Sequence, residues 1–157
     1  MKDFIIKHSK LGGNGLFSER SFGKNTVLMR LDGEKLTGKQ VSALSMQSAN
    51  NVLQIGNDLY LDFSGKNHLF INHSCSPNTY IKTMVNTAFL FSAIPINIGD
   101  ELCFDYSVSS LEDNKISSCN CGSYGCRKII GSWASLPEAK KARYLELKIV
   151  PDFIKNG

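Results

Sequence analysis

No apolar run among the 157 residues reaches the roughly 18 to 20 needed to cross a bilayer. The longest, near Ala88–Ile98, is broken by Ser92 and Pro95. The opening Met1-Lys2-Asp3-Phe4-Ile5-Ile6-Lys7-His8 meets charge too soon to hold the apolar stretch of a signal peptide. A membrane partner is therefore not expected, and an intracellular setting, cytoplasmic or nuclear, is. Charge of one sign is also scarce: 18 Lys and Arg against 14 Asp and Glu leave a net charge of +4. With no dense basic cluster, direct nucleic-acid binding is not expected. The content is 42% hydrophobic and 20% charged, which excludes a disordered chain, and the length fits one domain with little room for more than a short appendage.

Cysteine is present in an odd number, five, and three fall close together as Cys119-x-Cys121-x4-Cys126. In a reducing compartment such a cluster reads as thiolate metal ligands rather than disulfides. Structural zinc takes four tetrahedral ligands, so one is still to be found. The candidates are Cys75, Cys103, His68 and His73. Cys103 lies in the apolar run Leu102-Cys103-Phe104, where a thiol is usually a small buried hydrophobe. Cys75, in a polar stretch before Pro77, is the better fourth ligand.

Hydrophobic alternation and Gly/Asn turns predict a mainly β domain. Strands are expected over Phe4–Ser9, Val27–Leu31 and Glu101–Tyr106. Hairpins are expected for Val52–Ile55 with Leu59–Phe63, and for Tyr80–Val85 with Ala88–Ala93 about Asn86. Lys39–Asn50 reads as a short helix, Ser107–Ser118 as a loop, and Pro137–Ile149 as the strongest helix, with proline at its start.

Three further segments stand out. Asn72-His73-Ser74-Cys75-Ser76-Pro77-Asn78 follows an apolar approach, and its polar groups need partners other than a strand ladder. It matches an N-x-S sequon, which the missing signal peptide makes irrelevant, and an ordinary Asx-rich loop is the competing reading. Gly13-Asn14-Gly15 alone is a tight bend, and it does not open a helix as a dinucleotide-binding turn would. Glu101-Leu102-Cys103-Phe104-Asp105-Tyr106 alone is a core strand with a polar end.

Taken together, in this order and spacing, these elements resemble the SET-domain protein-lysine methyltransferases that carry a post-SET zinc motif. The family's G-x-G matches Gly13-Asn14-Gly15, and its NHSCxPN matches Asn72 to Asn78 without a mismatch. Its ELxFDY matches Glu101 to Tyr106, and its CxCGSxxC matches Cys119 to Cys126. The resemblance implies small curved β-sheets in which the second and third motifs thread as a pseudoknot. It implies a SET domain over 3–107, a linker loop over 108–118, a zinc-bound post-SET segment over 119–133, and a C-terminal helix and tail over 134–157.

The implied activity is methyl transfer from S-adenosylmethionine to a lysine side chain of a protein or peptide, histone or non-histone. The implied cofactor contacts are Gly13, Asn14, Gly15, Leu16, Asn51, Asn72, His73, Tyr106 and Trp133. Ile129, Ile130 and Trp133 are the apolar candidates to fold back over the pocket. Tyr106 is the implied catalytic residue, Leu31 and Phe104 join it in lining the lysine channel, and Cys75, Cys119, Cys121 and Cys126 hold zinc. Phe104 stands where a tyrosine would hold a water against the amine, so di- or trimethylation is expected.

The chain departs from the family pattern at three places. Leu31-Asp32-Gly33 replaces a Tyr-x-Gly element, Leu69 stands where many members have arginine, and Asn51 stands near a cofactor-contacting tyrosine. Two other functions compete: a catalytically inactive SET fold that only binds a peptide, and a small zinc-ribbon nucleic-acid binder. Intact Asn72, His73 and Tyr106 oppose the first, and the two long signatures oppose the second.

Overall fold

The computed structural model describes residues 2–111 and 117–156. The expected linker over 108–118 therefore lies partly outside the described residues, at 112–116. The chain opens with an antiparallel hairpin of β1 (Phe4–His8) and β2 (Asn14–Ser18). Its turn is closed by the Ser9 N–H donating to the Gly13 carbonyl at 3.0 Å, with Gly12 and Gly13 both at positive φ. The second half of the G-x-G motif is thus strand rather than bend.

β3 (Val27–Leu31) and β4 (Glu34–Leu36) lead to α1 (Gly38–Ser42) and α2 (Met46–Ala49). The expected single helix over Lys39–Asn50 is two. Ser45 is extended, and its hydroxyl accepts from the Ser48 N–H, so a new N-cap interrupts the run. β5 (Val52–Gly56) and β6 (Leu59–Asp62) form the first expected hairpin, with β4 on the other edge of β6. β7 (Asn72–His73) is followed by β8 (Thr79–Met84) and β9 (Thr87–Ser92), the second expected hairpin, turned at Asn86 with φ +55°. β3 pairs with β9, and alternate side chains of β9 are buried.

The expected strand Glu101–Tyr106 changes partners along its length. The Leu102 N–H donates to the Leu16 carbonyl on β2, and then β10 (Cys103–Phe104) runs parallel to β7. Tyr106–Val108 closes into a turn of 3-10 helix because the Asp105 side chain accepts from the Ser107 N–H. A six-residue regular strand cannot serve two sheets and a cap at once. The parallel pair sets Cys103 opposite Asn72 and Phe104 opposite His73, so two signatures distant in sequence lie side by side. Asn78 fastens them further, its side chain bonding the Glu101 carbonyl at 2.8 Å and the Cys103 N–H at 2.9 Å.

β11 (Ser117–Ser118) pairs with β12 (Ile129–Ile130), bracketing the cysteine cluster. α3 (Glu138–Glu146) is shorter than the expected Pro137–Ile149: Lys148 turns to φ +55° and the Ile149 N–H bonds back to the Tyr144 carbonyl, ending the helix. A further short helix, α4 (Asp152–Lys155), was not expected from the sequence.

Two apolar clusters result. One fills the space between the sheets, with Leu16, Leu31, Leu90, Ile96 and Leu102 almost wholly buried. The other lies under the C-terminal segment, where Tyr144, Val150, Phe153 and Ile154 pack on Tyr80 and Val108. The C-terminal segment is therefore integral to the fold. Among the described residues no helix is long and apolar enough to cross a membrane.

Candidate functional site

A cleft of about 190 Å³ forms where the first hairpin, the paired signatures and the cysteine segment meet. Asn72, His73 and Tyr106 line it from one side, Ser118 to Cys121 and Ile130 from another, and Leu11 from the hairpin turn. Leu11 and Ile130 give apolar edges to a mainly polar cleft, which fits a small amphipathic ligand.

Asn72 is held from beneath. Its Nδ2 donates to the Asn14 carbonyl at 3.0 Å and to Glu101 Oε1 at 2.7 Å, which uses both amide protons and leaves Oδ1 as the free polar atom. Glu101 also accepts from Ser9 Oγ at 2.7 and 2.9 Å. A Cβ on Gly15 would collide with the Glu101 carboxylate. Glycine at position 15 is thus required by the glutamate beneath it.

His73 is buried, and both ring nitrogens are engaged. The Tyr106 N–H donates to Nδ1 at 3.1 Å, so the proton sits on Nε2, which faces Cys75 Sγ at 3.4 Å. Burial lowers its pKa to about 4, so the ring is neutral near pH 7. What His73 offers the cleft is ring face and backbone. Its nitrogens instead couple Cys75 to Tyr106. The Tyr106 hydroxyl donates to the Ile71 carbonyl at 2.8 Å, and burial pushes its pKa far up, so it stays protonated.

Four sulfurs converge beside the cleft. The Sγ atoms of Cys75, Cys119, Cys121 and Cys126 all lie within 4.8 Å of one another. Cys75–Cys119 and Cys126–Cys119 are each 3.7 Å apart. A tetrahedral ion with zinc–sulfur bonds of about 2.3 Å requires sulfur–sulfur edges of about 3.8 Å. Backbone N–H groups of Cys75 and Arg127 aim at Cys121 Sγ and Cys75 Sγ, as thiolates prefer. The cluster fits zinc, with Cys75 as the fourth ligand. Cys103 stays in the core, where burial pushes its thiol up to about 12. His68 bonds the Asp32 carbonyl instead.

Beneath cleft and cluster lies Asp105. Arg127 clasps it with two bonds of 2.7 Å, and Tyr144 donates at 2.8 Å and the Ser107 N–H at 3.1 Å. Burial alone would raise this carboxyl, but the bonds and charge of Arg127, helped by Tyr144, hold it below the usual carboxylate range. Lys140, one helical turn before Tyr144, donates to the Cys75 carbonyl at 2.8 Å. Ser9, Arg127, Lys140 and Tyr144 were not singled out in the sequence. The signals were a basic residue directly after the last cysteine and a Lys/Tyr pair at i, i+4 on one helix face.

Several expected residues lie elsewhere. Leu16 and Leu31 are core residues, and Phe104 is 7% exposed within the same cluster, its ring 4.7 Å from that of Tyr106. The Asn51 side chain bonds Ser64, away from the cleft-lining set. Of the three apolar candidates after the last cysteine, Ile130 lines the cleft and Ile129 is 53% exposed. Trp133 packs on the C-terminal apolar cluster because its backbone is tied to the Ser110 carbonyl there, so it is not a cleft wall.

Comparison with known proteins gives a concordant result. Residues 13–107 match the SET domain. The variant-silencing SET domain-containing protein of Plasmodium falciparum is 29% identical over 142 residues, covering 80% of this chain and 6% of that protein. Trithorax, a histone-lysine N-methyltransferase of Drosophila virilis, is 30% identical over 141 residues, 82% of this chain and 4% of that protein. Human histone-lysine N-methyltransferase 2D is 27% identical over 138 residues, 78% and 2%. This chain thus spans a small fraction of these relatives' length. Among solved structures, KRYPTONITE in complex with mCHG DNA and SAH superposes with a TM-score of 0.66 at 21% identity, over 81% of this chain and 28% of that one.

Two outcomes follow for the isolated protein. Elemental analysis should find one zinc per chain, and a strong chelator should lower the unfolding midpoint together with zinc content; folded protein with far less than one zinc would refute the site. Tyr144→Phe should cost about 1.5–3 kcal/mol in urea denaturation, as expected for a buried bond to a charged acceptor.

Proposed function

The chain belongs to the SET-domain family, and on that premise we propose that it methylates the side-chain amine of a lysine in a protein, histones being candidate substrates. The observation that carries this reading is the convergence of Asn72, His73 and Tyr106 on one cleft beside the four-cysteine cluster. S-adenosylmethionine, when bound, supplies a methyl group on a cationic sulfonium.

The residues divide the work as follows. Asn72, with its amide protons already used, presents Oδ1 as an acceptor suited to the cofactor's ammonium. Leu11 and Ile130 give apolar cover, which keeps water from the reacting atoms. Tyr106 donates its proton to the Ile71 carbonyl, so the hydroxyl oxygen turns lone pairs toward its surroundings and can align a methyl by weak CH···O contacts. It does not act as a base, because burial keeps the phenol protonated. A free lysine, with a pKa near ~10.4, must lose its proton before it attacks. Cationic surroundings and exclusion of water favour the neutral amine, so a strong general base is not needed.

Phe104 supports a product preference. It does not line the open cleft, but its buried ring packs beside that of Tyr106 and carries no hydroxyl that could hold a water near the amine. An amine already bearing methyl groups then has room to turn its lone pair, which favours di- or trimethyl-lysine.

Binding of S-adenosylmethionine by calorimetry, then transfer of labelled methyl to purified histones and whole-cell lysate, tests the reading. Cofactor binding without transfer to any protein would favour a peptide-binding SET fold that is not an enzyme. Tyr106→Phe should lower turnover by about a hundredfold or more while cofactor affinity changes less than about threefold, since the hydroxyl acts on alignment. Near-normal turnover would remove Tyr106 from its role. Mass spectrometry at long reaction times should find di- or trimethyl-lysine, and Phe104→Tyr should shift product toward monomethyl-lysine; monomethyl product alone from the unaltered protein would refute the preference.

A further inference from the structure

A second cleft, of about 300 Å³, opens between the β8–β9 hairpin and the chain that follows α3. Its inner surface is apolar: Phe91, stacked on Tyr80, with buried Val150 and Pro151. Its rim is basic, built from Lys82, Lys148 and Lys155. Asp152 is the one rim carboxylate and is already paired with Lys155 at 2.8 Å. Lys82 lies over the Phe91 ring at 5.7 Å, a weak hold on an exposed side chain. Exposed Met84, on the hairpin arm, extends the apolar surface outward.

Lys148 is the informative residue. It occupies the left-handed position just past a helix end, φ +55°, where glycine is the ordinary choice and any side chain is strained. The backbone there serves to end α3, but the side chain adds nothing that glycine would not, because its ammonium has no hydrogen bond or ion pair among the described residues. A strained, unpartnered lysine facing a cleft points to a ligand that repays it.

We propose that this cleft docks a protein segment in which one apolar side chain is flanked by carboxylates. The apolar inner surface calls for an aromatic or aliphatic side chain, and the ammonium groups of Lys82 and Lys148, left over once Lys155 is paired with Asp152, call for acidic neighbours. A nucleic-acid backbone suits it less. Phosphates would leave half-buried Phe91 and exposed Met84 uncovered. The surface shares no residue with the cleft of Asn72 and Tyr106, so it docks a partner protein without entering the reaction.

The test is an NMR titration at physiological salt with an acidic peptide bearing one phenylalanine between pairs of glutamates, which needs no methyl transfer. Resonance shifts should centre on Phe91, Met84 and Val150. Replacing that phenylalanine by glycine should weaken binding about tenfold or more. In the protein, Lys148→Gly should weaken binding about fivefold or more while the thermal midpoint stays or rises, because glycine relieves the left-handed backbone. Lys82→Ala should weaken it without unfolding. Absence of binding, indifference to the peptide's phenylalanine, undiminished affinity in Lys148→Gly, or tighter binding of a short DNA duplex to the same residues would each overturn the proposal.

Discussion

The structure turns on a carboxylate almost shut off from solvent. Asp105 is 2% exposed, and an ionised side chain so placed is tolerable only with donors on both oxygens. It has four, and they come from three parts of the chain. The Ser107 N–H shapes the turn after β10, Arg127 arrives from the cysteine segment, and Tyr144 from α3. Removing any supplier leaves a buried charge short of partners, so the three parts are energetically one object. Because Asp105 immediately precedes Tyr106, the same bonds fix the backbone from which the hydroxyl is aimed.

A second set of contacts runs alongside. Cys75 belongs to the first long signature, yet its sulfur completes a cluster whose other members lie more than forty residues later. Its carbonyl receives Lys140, and its sulfur faces the Nε2–H of His73. Metal ligation, helix docking and the orientation of Tyr106 therefore share atoms rather than merely a neighbourhood. Cys75 Sγ as an acceptor suits an Nε2-protonated His73, burial keeps that ring neutral, and this tautomer leaves Nδ1 to accept from the Tyr106 N–H. Two hydrogen bonds on one imidazole thus join the cysteine cluster to the Tyr106 backbone.

Much of this was legible in the sequence because spacing carries chemistry. Thiolates at Cys119, Cys121 and Cys126 announce a shared ion, and alternation plus Asn86 announces the β8–β9 hairpin. Cys75 was separable from Cys103 by the polarity of its surroundings. Less legible was anything decided by a change of partner. The run from Glu101 to Tyr106 reads as one strand because its apolar content is continuous, but hydrogen bonds to two different sheets divide it. Ser45 looks like an ordinary helix residue until its hydroxyl caps Ser48. Trp133 and Ile130 are equally apolar, and only tertiary placement decides that Ile130 meets the cleft. Arg127 and Tyr144 left only local hints for a related reason: bonds made across the fold have no periodicity in the sequence.

The bond from Ser9 to Glu101 joins residues 92 positions apart. During synthesis the first hairpin leaves the ribosome long before the glutamate that steadies it, and Asp105 is made before Arg127 and Tyr144 exist to neutralise it. Contacts of such long range close late and make folding slow. The early chain must hold exposed strand edges and an unpaired acid in water for that interval. The bonds from Lys140 and Tyr144 to the paired signatures wait for α3 to emerge. The order in which the chain delivers its parts thus sets how late the site can close.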